Sequence, residues 1–281
     1  RSSAASSDYP LRMCIRDSFW PAEKPAEGDV WVNFLDVGQG MASVVRTREH
    51  TLIYDPGPLY SADSDAGQRI VVPFLRAQGI NRVDTLVITH RDSDHAGGAA
   101  SVLAALPVGG VLTSVPEFGG RLCEAGQRWQ WDDVAFEVLH PLPGQVAGEG
   151  STNAVSCVLR VEAGGRRLLF TADIQAQEEA ALLARHAKGL AADVLQVAHH
   201  GSKTSSTEAF LIAVGAREAV IPVGYRNRFG HPTEEVLDRL DRQGARVWRT
   251  DRDGAIEVRL GAGGVGVSAW RQVHRRYWYG Q

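Results

Sequence analysis

The amino-acid sequence predicts an α/β sandwich, a fold in which helices cover the faces of β-sheet. Strand-length apolar runs alternate with segments of helical spacing, and glycine and proline clusters punctuate the runs. The chain's 281 residues, 44% hydrophobic and 22% charged, suffice for one large core, so a single main domain over residues 29–262 is expected.

Residues 1–28 carry Ser, Ala and three prolines (Pro10, Pro21, Pro25) with no sustained period, and read as an irregular lead-in or the remnant of a longer polypeptide. Strands are expected over 30–37, 41–45, 51–54 and 85–89, with Gly38-Gln39-Gly40 and Pro56-Gly57-Pro58 as turns. Helical spacing marks 70–77 and 97–106. Strands return at 136–140 and 155–161, and Gly164-Gly165 joins the latter to 167–171 as a tight hairpin. Helix and strand then alternate: helix 176–186, strand 194–198, helix 207–214, strand 219–223 and helix 233–243. Thr233 is placed as an N-cap, with Glu234 and Glu235 in the first turn and Val236, Leu237 and Leu240 on one face. Residues 246–260 add closing strands, and 263–281, with Trp270, Tyr277, Trp278 and Tyr279, read as an aromatic tail.

A formal net charge of −3 argues against non-specific coating of nucleic acid, whose affinity comes from counterion release by Lys and Arg. The basic excess is local: residues 217–281 hold twelve arginines against eight acidic side chains. No run of about 18 apolar residues is found, and the first ten residues lack the apolar stretch of a signal peptide, so the chain is expected to be soluble as it stands. Cys14, Cys123 and Cys157 lie far apart and imply neither a zinc knuckle nor a dense disulfide framework; the redox compartment stays open.

The sharpest signal is Thr-His-Arg-Asp-Ser-Asp-His at residues 89–95, directly after an apolar run. His90, Asp92, Asp94 and His95 place four possible metal ligands at one strand end. Two buried carboxylates beside two imidazoles would be costly without a cation; a solvated polar loop is the bland alternative. Asp173, in Leu-Leu-Phe-Thr-Ala-Asp, and His199-His200, in Val-Ala-His-His-Gly-Ser, end further apolar runs.

With the Asp-Val-Gly-Gln-Gly turn at 36–40, this order of motifs resembles the metallo-β-lactamase superfamily, which implies an αββα sandwich with metal ligands at strand ends along one edge. Within it, FLDVGQG, THRDSDHAGG, STNAVSCVL, LLFTADI, VAHHGSKTS and NRFGHPTEEVL resemble the C-terminal domain of the ComEC family of DNA-uptake channel proteins of natural competence. The resemblance covers residues 30–260. It implies two divalent metal ions, with Asp94, His95 and His199 on one, His90 and Asp92 on the other, and Asp173 bridging. Asp92 and Asn153 stand where the superfamily more often has histidine; Asn153 is either a ligand or a turn residue. Exchanging nitrogen for oxygen shifts the expected metal from Zn²⁺ towards Mn²⁺ or Mg²⁺. Met41 stands where an acidic residue is more usual, outside the ligand set.

Two cations about 3.5–4 Å apart would activate a water, positioned by Asp94 and Asp173, for displacement at phosphorus. Ser202, Lys203, Thr204 and Ser205 offer one ammonium and three hydroxyls where a phosphate would lie, and Arg226 and Arg228 are candidates for backbone contacts. His231, before a helix start, and His200 are the candidate proton donors. Because side chains alternate along a strand, His199 and His200 would point apart; His199 is taken as the ligand and His200 as its supporting or proton-transfer neighbour.

The resemblance implies a nuclease that degrades the DNA strand not transported, working with the membrane channel of the same parent protein and the competence machinery, on the extracytoplasmic (periplasmic) face of the inner membrane. A phosphorylcholine esterase, lactonase or thioesterase of the same fold, and a non-catalytic DNA-binding or assembly module, are the alternatives. Ligands alone do not write the substrate.

Overall fold

The protein is described by a computed structural model covering residues 23–145, 152–186 and 189–274. Its strands are β1 (Val30–Phe34), β2 (Ala42–Arg46), β3 (Thr51–Pro56), β4 (Leu59–Ser61), β5 (Ser64–Asp65), β6 (Val83–Ile88), β7 (Val108–Thr113), β8 (Arg121–Leu122) and β9 (Arg128–Trp131). They continue with β10 (Val134–His140), β11 (Val158–Ala163), β12 (Arg166–Phe170), β13 (Val194–Gln196), β14 (Glu218–Ile221), β15 (Arg246–Arg249), β16 (Ile256–Gly261) and β17 (Gly264–Ala269). The helices are α1 (Val72–Ala77), α2 (Ser93–Ala96), α3 (Ala99–Ala105), α4 (Ala176–His186), α5 (Glu208–Val214), α6 (Glu234–Arg242), α7 (Thr250–Asp253) and α8 (Trp270–Val273).

Two sheets form the middle of the sandwich, ordered β17-β16-β1-β2-β3-β6-β7-β8 and β15-β14-β13-β12-β11-β10-β9. The period of two along each strand sends alternate residues to opposite faces. On β3, Leu52 and Tyr54 enter the core between the sheets while Ile53 joins Val71, Leu75 and Val102 beneath the helices of the first sheet. On the second sheet, Val194 and Val220 face inward while Leu195 and Ile221 pack under Leu182, Phe210, Val236 and Leu240. Phe34, Tyr54, Phe136 and Phe170 fill the middle, each at most 1% exposed and worth roughly 1.5–3 kcal/mol of burial. Met41 is one of these core residues, fully buried. The layers are those of the predicted αββα sandwich.

Several elements differ from the sequence reading. The first strand stops at Phe34, because Leu35 N–H bonds back to Ala42 C=O and the chain turns early. The helix expected over 97–106 begins earlier: α2 already contains Asp94 and His95. Residues 152–155 form a short 3₁₀ turn, so β11 begins only at Val158. Residues 246–260 split between sheets, β15 on the edge of the second and β16 inside the first. β17 pairs antiparallel with β16, so residues 264–269 of the expected tail are an edge strand. Trp270 follows it, 53% exposed and stacked on His274; Tyr277, Trp278, Tyr279 and Cys14 lie outside the described residues.

β3, β6 and β7 run parallel in one sheet, and β12, β13, β14 and β15 in the other. Their C-terminal ends therefore gather along one edge, where open α/β sheets place their sites. A disulfide between Cys123, beyond β8, and Cys157, ahead of β11, joins the two sheets beside that edge. Tyr54 Oη donates to Cys157 C=O at 2.6 Å, and Cys157 N–H to Thr89 C=O at 3.2 Å.

Candidate metal centre

Each functional side chain follows a strand end: Asp55 closes β3, His90 follows β6, Asp173 follows β12 and His200 follows β13. Where β6 stops, α2 turns Asp94 and His95 back over the edge. The close approach of the 36–40 turn fixes it: Met41 N–H donates to Asp94 C=O at 3.0 Å, and a Cβ on Gly40, whose φ is +139°, would meet that oxygen at 2.3 Å. At the end of β12, Gln196 Oε1 accepts from Thr171 N–H at 2.9 Å and Ala172 N–H at 2.8 Å, fixing the peptide that leads into Asp173.

Two groups of donor atoms result, His90 with His95 and Asp173, and Asp94 with His95 and His200. The rings' outer hydrogen bonds fix their tautomers. His95 Nδ1 donates to the buried Asp55 carboxylate at 2.7 Å, and His200 Nδ1 to Pro222 C=O at 2.7 Å. Thr89 Oγ1 donates to Asp55 and so accepts from His90 Nδ1 at 2.9 Å. All three rings therefore turn Nε2 inward. His95 Nε2 and His200 Nε2 face each other at 3.2 Å, and His90 Nε2 and Asp173 Oδ1 are buried with no hydrogen-bond partner.

Bare lone pairs at that separation repel, and a buried acceptor without a partner costs roughly 1–3 kcal/mol. A proton on His95 is one relief: burial opposes it, but the Asp173 and Asp55 carboxylates together hold that ring's pKa well above the ordinary value. It leaves His90 unsatisfied, since burial and then His95 push His90 down to about 4. Divalent metal held by these two groups of donors would satisfy the inward lone pairs. The donor set thus fits the metal that the fold implies. Asp94 is already disposed to ionise: burial works against it, yet the His200 ring beside it and the charge of His95 bring it down to about 2.

His200 enters the donor set in place of His199. The reason is local backbone: β13 ends at Gln196, and both histidines sit in the left-handed region (φ 51° and 53°), so strand alternation does not govern them. His200 lies 3.4 Å from Asp94 Oδ2 and 3.7 Å from Asp173 Oδ2, and is 2% exposed. His199 Nε2 stands 3.8 Å from Asp173 Oδ2 on the solvent side, its Nδ1 3.4 Å from Thr204 Oγ1. Asp173 directs one oxygen to His95 and the other to the histidine pair.

Asp92 Oδ2 lies 3.7 Å from His90 Nε2 at the rim, its other oxygen held by Thr152 Oγ1; Asn153 is buried on the same turn. Ser202 and Thr204 join hydroxyl to hydroxyl at 3.0 Å, and Lys203 is exposed with no salt bridge among the described residues. Ser205 departs from the expected phosphate role: fully buried, its hydroxyl donates to Ala198 C=O at 2.9 Å and holds the turn. His231 lies 5.9 Å ring to ring from His199, its Nδ1 buried without a partner; burial, then His199 and His200, lower its pKa. Thr233 is the N-cap position of α6, but its hydroxyl bonds Gly201 C=O at 3.2 Å instead of capping. Arg226 and Arg228 lie exposed on the 224–231 loop.

Asp55, Gln196 and Glu179 were not anticipated. Asp55 ends an apolar run as Asp173 does, which was a usable signal. Glu179 is fully buried on α4 and accepts from Ser206 N–H and from Thr207 N–H at 2.8 Å, while Arg239 holds Ser205 and Ser206 C=O at 3.2 and 3.1 Å. These two residues clamp the 202–207 turn.

The chain is 42% identical over 263 residues to competence protein ComA of Neisseria gonorrhoeae, covering 93% of the chain and 36% of that protein. It is 34% identical over 263 residues to ComE operon protein 3 of Bacillus subtilis, covering 83% and 33%, and 30% identical over 273 residues to the uncharacterized protein YcaI of Escherichia coli, covering 96% and 36%. The chain thus spans between 33% and 36% of the length of these relatives. Among solved structures it shares its fold with CmlA, a diiron β-hydroxylase from Streptomyces venezuelae (TM-score 0.55, 16% identity, 84% of this chain and 55% of that one). It also shares it with YhfI, a metallo-β-lactamase fold protein from Bacillus subtilis (TM-score 0.52, 12% identity, 85% and 100%). The description of a family, the metallo-β-lactamase superfamily, matches residues 35–225, and the donor set at the strand ends lies within that span. The chain belongs to the metallo-β-lactamase superfamily.

Proposed function

We propose that this chain is the metal-dependent nuclease domain of a DNA-uptake protein, hydrolysing phosphodiester bonds of the strand that is not transported during natural competence. The observation that supports it is a polar turn beside the histidine pair, where Thr204 Oγ1 lies 3.4 Å from His199 Nδ1. Ser202, Lys203 and Thr204 adjoin His199, and Arg226 and Arg228 stand on the loop that leads to His231. The 42% identity to competence protein ComA supports the process.

His90, Asp92, Asp94, His95, Asp173 and His200 would hold the metal, with Asn153 beside them. There a divalent ion, Mn²⁺ or Mg²⁺ ahead of Zn²⁺, would lower the pKa of a water and offset phosphate charge. Lys203 and the two hydroxyls orient the phosphate from the open side. Asp94 and Asp173 remain ionised and hold the attacking water by accepting its hydrogens. His231, with one buried ring nitrogen unsatisfied, passes a proton to the leaving alkoxide, and His199 relays it from the solvent side. The Cys123–Cys157 disulfide supports an oxidising, extracytoplasmic location, where such bonds persist. No helix among the described residues is long and apolar enough to cross a membrane, so the channel portion of the parent protein would supply the tether.

Labelled single- and double-stranded DNA incubated with Mn²⁺, Mg²⁺ or Zn²⁺ in turn, beside an Asp94→Ala variant, tests the reading. Shortened DNA with the unmodified chain alone is the expected result. Intact DNA with every metal, together with turnover of a lactone or thioester, overturns it.

A further inference from the structure

The 224–231 loop carries more than the two arginines. Tyr225 is 71% exposed and Phe229 51%, each with its own cation: Arg226 Cζ lies 5.2 Å from the Tyr225 ring centre and Arg228 Cζ 4.9 Å from that of Phe229. Single exposed apolar side chains are ordinary. What sets this pair apart is rigidity and address.

The loop is held in one shape by Asn227. Its Nδ2 donates to Gly224 C=O at 3.1 Å and to His231 C=O at 2.6 Å, and its Oδ1 accepts from Phe229 N–H and His231 N–H, both at 3.1 Å. The loop's base is seated against the 36–40 turn: Gly224 N–H donates to Gln39 Oε1 at 3.1 Å, and a Cβ on Gly224 would meet Gln39 N at 2.5 Å. The backbone that carries both rings is thus held in one shape. The loop's address, through Phe229, is the metal edge. Phe229 lies parallel to His231 (5.9 Å between centres, 17° between planes), His231 meets His199 at 5.9 Å, and His199 reaches Asp173.

Rigid aromatic faces interleaved with arginines, beside a site that takes phosphate, match the way unpaired nucleic-acid strands are bound: bases stack on rings and cations track the backbone. A paired base has both faces occupied by its neighbours in the duplex and cannot use such a platform. We propose that Tyr225 and Phe229 form a base-stacking rim that receives unpaired bases next to the scissile phosphate, so that this loop, not the metal ligands, makes the enzyme prefer single-stranded DNA. The proposal rests on the nuclease reading and deepens it by naming the strand.

The test compares two probes of equal length and charge, a fluorescent oligothymidylate and its abasic counterpart, bound to the full chain without divalent metal and read by anisotropy. The abasic strand keeps every phosphate and lacks every base, so the ratio of the two affinities isolates stacking. The unmodified protein should favour oligothymidylate, and Tyr225→Ala should reduce the ratio by about 5- to 150-fold, the range for one stacked base. Tyr225→Phe, which keeps the ring, should restore it. Equal affinity for both strands in the unmodified protein, or an unchanged ratio in Tyr225→Ala, overturns the stacking rim even if DNA is cleaved. Absence of any DNA binding or cleavage removes the nuclease reading and the rim with it.

Discussion

The two ends of the sandwich both hold carboxylates at strand turns, and they treat them differently. At the end away from the metal centre, Asp132 in the β9–β10 turn reaches across to the β2–β3 turn of the other sheet. One of its oxygens accepts from Thr47 Oγ1 at 2.6 Å, Glu49 N–H at 2.8 Å and His50 Nδ1 at 3.0 Å. Every partner is supplied by the chain. At the metal edge, Asp173 and Asp94 meet imidazole nitrogens whose protons point elsewhere, and His90 Nε2 and Asp173 Oδ1 are left over. Both ends hold carboxylates at turns, Asp173 buried and Asp132 only half-buried; incomplete partnering belongs to the metal edge. That difference separates a carboxylate that fastens two sheets from carboxylates arranged for a cation.

The largest expected effect comes from moving the metal edge towards the other kind. In Asp55→Asn the carboxylate that orients His95 is lost, and metal affinity should fall about 10- to 100-fold. Thermal or urea unfolding with added Mn²⁺ reads this directly. Metal at 100 times its dissociation constant should stabilise the unmodified chain by roughly 2.7 kcal/mol, and chelation should remove that increment. The variant should lose about half to most of that increment, and its metal-free form should also be less stable, because the buried Thr89 hydroxyl and His95 Nδ1–H lose the oxygen they share. An unchanged metal response would show that Asp55 does not orient a ligand.

A smaller effect is expected behind the 202–207 turn. Glu179→Ala strands the N–H groups of Ser206 and Thr207 in a buried site and should cost about 1–3 kcal/mol in urea unfolding, with Glu179→Gln costing less. Equal stability of all three proteins would mean that Arg239 alone holds the turn.

The smallest effect probes the fastened end. Burial raises the Asp132 carboxyl, but the Thr47 hydroxyl, the Glu49 amide and His50 outweigh it and bring it to about 2. A folded-state value below the ordinary one of about 3.9 makes its stabilisation present above roughly pH 4 and lost as pH falls towards 2. Asp132→Asn should therefore unfold about 1–2 kcal/mol more easily at pH 7, and the gap should close between pH 4 and pH 2. A gap of constant size across that range would assign the loss to shape instead of charge. The metal response should be the same in both proteins.

Some of this was written locally. The stretch from His90 to His95 was legible as a candidate site because its donor groups fall within one strand-end turn, and Asp173 because it closes an apolar run. The layered fold was legible because periods of two and of 3.6 alternate along the chain. β7 was not, because Gly109 and Gly110 interrupt its apolar pattern while its neighbours in the sheet supply the pairing. The directions of His199 and His200 were not legible for a related reason. Their directions depend on two left-handed residues after β13, and that conformation is sustained by contacts across sequence, with His199 N–H on Ala172 C=O and His200 Nδ1 on Pro222 C=O.

The sequence by itself determined the superfamily, the sandwich and the pool of metal-binding side chains, because residue type and spacing are local quantities. Only the tertiary structure decided which ring nitrogens face inward, that Asp55 directs His95 from 40 positions away, that Ser205 is spent on its own turn, and that Phe229 lies parallel to His231. A side chain's chemistry is fixed by its type, whereas its direction, tautomer and unsatisfied lone pairs are fixed by what the fold brings against it.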